Sequence, residues 1–98
     1  MALKKKKRMP NGLELEYHRI ALVTIDVNNQ ITVLRHSYLN EDARQYEKDY
    51  AAGKIEGEPI FPYVDYEYMH MEYEDGMNIK KAYEWLKTQP GFEDAENV

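Results

Sequence analysis

LELEYHRIALVTIDVNNQITVLRHSY, residues 13–38, holds two β-rich runs around a polar centre. Leu13 to Tyr17 alternates apolar and acidic residues, the period-two pattern of a half-buried strand. Ile20 to Ile25 is a nearly continuous apolar run, as in a strand covered on both faces. The phase of alternation is lost around His18 and Arg19, and a β-bulge or a bend there accounts for it. Asp26-Val-Asn-Asn-Gln30 reads as the hairpin loop, because Asn tolerates left-handed backbone and both flanks are β-branched. Ile31 to Tyr38 is the returning strand. A β-hairpin across residues 13–38 is the firmest element of the predicted fold.

Downstream, Asn40 is placed to cap a helix, and Glu41 and Asp42 suit the positive end of its dipole. Ala43, Tyr46 and Tyr50 share one face at helical spacing, and Gly53 ends the helix. Residues 54–59 form a loop. Ile60 to Tyr73 is a third β region, with Pro62 at its start or on an edge. Val64, Tyr66, Tyr68 and His70 fall on one face of it. Tyr63, Asp65, Glu67, Met69, Met71 and Tyr73 fall on the other, whose first half is expected to be wet. Asp75 and Asn78 are alternative caps for a final helix, in which Ile79, Ala82, Tyr83 and Leu86 form an apolar stripe. Pro90-Gly91 stops that helix, and Phe92, Ala95 and Val98 are set to fold back on the body. The predicted class is α+β: an antiparallel β-sheet in β-β-α-β-α order with the C-terminal helix packed on the sheet. The third β region is long enough to split into two strands.

Upstream, Lys4, Lys5, Lys6, Lys7 and Arg8 form a basic run that ends in Met9-Pro10-Asn11-Gly12, a turn signal. The reading is a basic flexible N-terminal arm over residues 1–12, joined to a single α+β domain over 13–98. These five residues are a large share of the 13 basic residues in a chain whose net charge is −5. The remainder is strongly acidic, which disfavours nucleic acid and anionic membrane as partners except through the arm. With 98 residues the chain supports one domain and one modest core. The absence of cysteine excludes disulfides, thiolate metal sites and cysteine nucleophiles. No apolar run reaches the length of a membrane span, and no apolar stretch follows the basic run as it does in a signal peptide.

Candidate chemistry is sparse. His18, His36 and His70 lack metal-ligand spacing, although His18 and His36 approach each other in a hairpin centred on Asn28-Asn29. Carboxylates are numerous but spaced as strand-face and turn charges rather than as a pair facing one cleft. Ser37, the chain's only serine, lacks the setting of a nucleophile elbow. The Tyr/Met stretch from Tyr63 to Tyr73 resembles a base-stacking platform, but its charged neighbours are Asp65, Glu67, Glu72 and Glu74 rather than Lys or Arg. The sequence therefore predicts no catalytic residue, no metal and no cofactor. Its tyrosines and Trp85 suit core packing and protein contacts.

The ending Asn78-Ile-Lys-Lys-Ala-Tyr-Glu-Trp-Leu-Lys-Thr-Gln-Pro-Gly-Phe-Glu-Asp-Ala-Glu-Asn-Val98 resembles the C-terminal signature of a family of small tailed-phage and prophage proteins. Ala82, Tyr83, Leu86, Lys87, Thr88, Pro90, Phe92, Ala95 and Val98 match that pattern, and Gln89 departs from it where an apolar residue is usual. The start Met1-Ala-Leu-Lys4, the Asn11-Gly12-Leu13 turn and Tyr17-x-Arg19-Ile20 are more weakly similar. The resemblance implies a virion structural role, in or near the tail or baseplate. It also implies a location in the bacterial host cytoplasm during assembly and then in the virion.

The functional expectation is a non-enzymatic tail or baseplate accessory component that binds other phage structural proteins or itself. Tyr63, Tyr66, Tyr68, Trp85 and Phe92 are the candidate interface, and Lys4 to Arg8 the candidate basic arm. The alternative is a small regulatory or nucleic-acid-associated protein that binds through that arm.

Overall fold

The computed structural model describes residues 1–10, 12–26, 29–57 and 63–98, without the side chains of Tyr63 and Val64. Asn11, Val27, Asn28 and the segment 58–62 lie outside the described residues. With them go parts of the expected Asn11-Gly12 turn, the hairpin loop, the 54–59 loop and the start of the third β region. The element order is β1 (Leu3–Arg8), β2 (Glu14–Ile25), β3 (Gln30–Tyr38), α1 (Glu41–Ala51), β4 (Tyr63–Glu72), α2 (Ile79–Leu86) and β5 (Glu96–Asn97). The five strands form one antiparallel sheet in the order β4-β3-β2-β1-β5. The class is α+β as predicted, with one strand added at each end of the expected order.

The hairpin of β2 and β3 is the centre of the sheet. Near the loop, Ile25 faces Ile31 and Val23 faces Val33. Asn29 adopts φ 56, the left-handed conformation that Asn accepts, and its amide donates to the Asp26 carbonyl. A bulge interrupts the ladder between Ile20 and Leu22, two residues beyond the predicted place. It lets Ile20 and Val23, three residues apart, both serve the core cluster. His18 stands opposite Ser37 and Arg19 opposite His36. His18 and His36 therefore project from opposite faces, and the expected approach of the two histidines does not occur.

Helix α2 covers one face. Ala82, Tyr83 and Leu86 are buried there with Leu3, Ile20, Ile31, Val33, Phe92 and Ala95, and Met69, Met71 and Trp85 pack around them. Asn78 caps the helix by accepting from the Lys81 amide. The helix ends at Leu86, four residues before Pro90-Gly91, and the next residues turn through bonds from the Thr88 and Gln89 amides to the Trp85 and Leu86 carbonyls. Gly91, at φ 88, then reverses the chain beside the Lys7 stem so that Phe92 enters the core. Tyr83 joins this cover to the sheet. Its hydroxyl accepts from the Ile20 amide beside the bulge at 2.8 Å and donates to the Met1 carbonyl at 2.8 Å.

On the other face, α1 sits over one end of the sheet. Asn40 caps it as expected, accepting from the Ala43 amide. No α1 residue is fully buried. The helix is held to the sheet mainly by polar contacts: the Tyr38 hydroxyl donates to Glu47 at 2.7 Å, Arg19 donates to Tyr38 at 2.8 Å and pairs with Glu47 at 3.5 Å, and Arg44 pairs with Glu47 within the helix. Tyr17 packs edge-on against Tyr38 in a small second cluster with Ala2 and Ala43.

The basic run is a strand, and the expected flexible arm is corrected accordingly. Residues from Leu3 to Arg8 pair with β2, β5 pairs with Leu3 and Lys4, and Ala2 and Val98 exchange backbone hydrogen bonds. Ala2 and Leu3 are fully buried. Lys5 and Lys7 are half-buried while Lys4, Lys6 and Arg8 are exposed. Long lysine stems lie along apolar surface, and the Lys7 ammonium stands over the Phe92 ring; the register of β1 against β2 shifts between Lys4 and Lys7, so the run forms an irregular strand without an apolar sequence.

Candidate interaction surface

Two arrangements stand out in the sheet: a buried polar chain on the α2 side and a partly exposed aromatic patch on the other, next to α1. The polar chain begins at His18. Its Nε2 lies 2.8 Å from the Lys5 carbonyl, which can only accept, so Nε2 carries the hydrogen. Its Nδ1, 2.7 Å from Ser37 Oγ, accepts from that hydroxyl in the neutral ring. Arg35 donates to Ser37 Oγ through one nitrogen, and through the other to Asp65 at 3.0 Å and Glu67 at 3.1 Å. One cation thus faces two carboxylates. Phe92 lies edge-on to His18 with centroids 5.0 Å apart, and Lys7 and Arg35 stand over its ring at 4.6 and 5.4 Å.

Burial lowers the His18 pKa to about 4, outweighing the hydrogen bond to Lys5, so the ring is neutral near pH 7. Burial also lowers Lys7, with Arg35 adding to it. A serine beside a histidine invites comparison with a nucleophile and its base. Here His18 and Ser37 are both fully buried, and the far nitrogen of the ring is fixed by a main-chain carbonyl. The chain of bonds runs across four strands, from β1 through β2 and β3 to β4, and its evident work is to hold them in register. Sequence reading did not find it, because His18, Arg35 and Ser37 carry no local spacing signal.

The exposed patch follows from the register. Leu22 faces Leu34, and Leu34 faces Tyr68; Thr24 faces Thr32, and Thr32 faces His70; Arg19 faces His36, and His36 faces Tyr66. Directly opposed residues share a face, so these nine project together, away from α2. Tyr66 is 59% exposed, Tyr68 57% and Leu22 44%. The two tyrosine rings meet edge to face at 6.2 Å, and Thr32 and His70 are hydrogen-bonded at 3.1 Å.

The predicted interface residues therefore separate. Tyr66 and Tyr68 lie on this patch. Phe92, at 1% exposed, is core, because its ring is enclosed by His18, Lys7 and Arg35 of the sheet within the main apolar cluster; it is removed from the interface. Trp85 is half-buried at the edge of the same core and on the opposite side of the sheet from Tyr66 and Tyr68. Tyr63 belongs to β4 and pairs with Tyr38, but its side chain lies outside the described residues. The basic residues from Lys4 to Arg8 lie in β1, where Lys4 faces Glu96 of β5 and Arg8 faces Glu14 of β2. Those acidic neighbours weaken the case for nucleic acid on this strand.

A separate cleft of about 300 Å³ lies beside the start of α1, lined by Lys4, Glu16, Tyr17, Asn40, Glu41, Asp42 and Val98. No helix among the described residues is long and apolar enough to cross a membrane. A scan against models of known protein families, a search of curated proteins and a search of solved structures each found no match to the chain.

Proposed function

We propose that this chain is a non-enzymatic structural component of a phage or prophage particle, in or near the tail or baseplate, that works by binding other proteins. The observation that carries the binding role is the face that exposes Leu22, Tyr66 and Tyr68 beside the half-buried Leu34. Aromatic residues with exposed apolar neighbours on a rigid sheet provide contact area at low entropic cost. The phage assignment is supported by the resemblance of the C-terminal segment. Within that segment Ala82, Tyr83, Leu86, Phe92 and Ala95 are core residues. Their shared pattern thus has a folding reason and implies no chemistry of its own.

The test is particle composition. Particles induced from the strain that encodes the chain, purified by density gradient, are expected to contain it in stoichiometric amount by quantitative mass spectrometry. Leu22→Glu combined with Leu34→Glu, verified as folded by circular dichroism, is expected to remove it from the particles. Absence of the native chain from purified particles would overturn the particle assignment. Normal incorporation of the folded double variant would overturn the role of this face.

A further inference from the structure

The two edges of the sheet are built differently. On the β1 side the edge is broken up: β5 covers Leu3 and Lys4, the ladder of β1 shifts between Lys4 and Lys7, and the rest of the strand is lysine and arginine. Short, irregular and lysine-rich edges keep a sheet from pairing with another chain. On the far side β4 pairs, among the described residues, with β3 alone. Its ladder is regular from Asp65 to Glu72, a stretch without proline, glycine or lysine. Asp65 and Glu67 are both engaged by Arg35. Helix α2 packs chiefly on β2, and α1 on β2 and β3.

The phase of the hydrogen bonds decides which backbone groups β4 turns outward. The Asp26 amide donates to the Gln30 carbonyl at 3.0 Å. Gln30, Thr32 and Leu34 therefore turn their backbone groups toward β2, and Ile31, Val33 and Arg35 turn theirs toward β4. Their partners Met71, Met69 and Glu67 bond to β3. Tyr68, His70 and Glu72 direct N–H and C=O to the edge.

We propose that this chain forms a two-fold dimer in which β4 pairs antiparallel with β4 of a second copy, Met69 facing Met69. Outward groups must meet outward groups, so the axis passes through a residue pair and not between residues. Centring on Glu67 sets that carboxylate against its own copy. Centring on Tyr68 leaves the two Glu67 side chains diagonal neighbours, and like charges so placed repel. Centring on His70 shortens the ladder. Centring on Met69 puts Tyr68 opposite His70, Glu67 opposite Met71 and Tyr66 opposite Glu72 of the second copy. No two carboxylates between Asp65 and Glu72 are then opposite or diagonal. Tyr68 and His70 exchange backbone bonds across the seam, and the half-buried Met69 and Met71 gain cover on the α2 side. An antiparallel two-fold pairing keeps both copies the same way up, so the exposed tyrosines of both lie on one face of a continuous sheet. The contact is isologous and closes at two copies.

Sedimentation velocity of the full chain over about 0.01–1 mM is the test. It is run at about 0.05 M and about 0.5 M salt, between which screening strengthens greatly. The expected result is a monomer–dimer equilibrium that stops at dimer. Each copy has a net charge of −5 and the seam joins no opposite charges, so the dimer is expected to tighten several-fold at the higher salt. His70→Pro removes an outward N–H and the exposed Thr32 contact but no backbone bond to β3. It is expected to weaken the dimer roughly tenfold with the fold intact by circular dichroism, since an edge strand accepts proline in that orientation. The chain has no native cysteine, so single cysteines read the register without depending on that variant. Facing residues that are not hydrogen-bonded to each other lie about 4.5 Å apart at Cα, within disulfide reach. Met69→Cys is therefore expected to give a disulfide-linked dimer on mild oxidation, and Glu67→Cys, set against Met71, to stay mostly monomeric. A monomer throughout, a series beyond dimer, a dimer that salt weakens, a dimer untouched by a folded His70→Pro, or equal crosslinking of the two cysteine variants overturns the proposal. All of these variants leave Leu22 and Leu34 intact, so failure here is distinguishable from failure of the sheet-face reading.

Discussion

Acidification from about pH 7 to about pH 5 is expected to remove about 2 kcal/mol of stability through His18 alone. The ring is fully buried, and burial lowers its pKa to about 4 from the ordinary 6.5. As pH falls through 6.5 the unfolded chain takes up the proton first, while the folded ring stays neutral. His18 thus costs nothing above that range, the loss grows between pH 6.5 and about 4, and it is complete below. The full loss is about 3 kcal/mol at 1.36 kcal/mol per pH unit of separation. Most carboxylates remain ionised down to about pH 5, so this window is dominated by histidine. His36 is lowered as well, chiefly by burial, and contributes in the same direction.

A variant separates the two histidines. His18→Gln is expected to be less stable near neutral pH, because it disturbs the bonds to Lys5 and Ser37. Its stability should nonetheless vary less with pH. Urea unfolding followed by Trp85 fluorescence and circular dichroism, at several pH values in this window, gives both curves. The native chain should lose about 2 kcal/mol more than the variant between the two ends. Equal losses would refute the reasoning, as would a His18 titration midpoint near 6.5 by nuclear magnetic resonance. The same spectra should show the hydrogen on Nε2, the nitrogen that faces the Lys5 carbonyl.

Two core substitutions test the cover formed by the C-terminal segment. Tyr83→Phe keeps the ring but leaves the Ile20 amide and the Met1 carbonyl without the hydroxyl they share; a loss of about 1–3 kcal/mol is expected in denaturant unfolding, with the slope unchanged. Phe92→Ala empties a buried position between His18, Lys7 and Arg35. It is expected to cost about 3–5 kcal/mol, and Trp85→Ala, at the half-buried rim, clearly less, both read from thermal or urea midpoints.

Patterns that repeat along the chain were legible in the sequence. The hairpin was readable because β2 and β3 each bury their own residues and because Asn29 suits a left-handed turn. The caps at Asn40 and Asn78 were readable because capping joins a side chain to an amide only three residues on. The apolar stripe of α2 was equally local. Tyr66 and Tyr68 were readable as candidates for contact; Phe92 was readable both as a residue folding back on the body after Pro90-Gly91 and as a contact residue, and the structure places it in the core.

What required the tertiary structure was everything set by distant partners. Lys4 to Arg8 has the composition of a solvated tail, and it is a strand only because β2, β5 and the core beneath Leu3 meet it, with Lys4 paired to Glu96, 92 positions away. The buried chain through His18, Ser37 and Arg35 likewise exists only once β1 to β4 lie side by side. Charge order along the chain marked one basic end and an acidic body. The strand order set the basic β1 between β2 and β5 and the acidic β4 at the far side of the sheet, because backbone pairing, unlike helix capping, takes no account of separation in sequence.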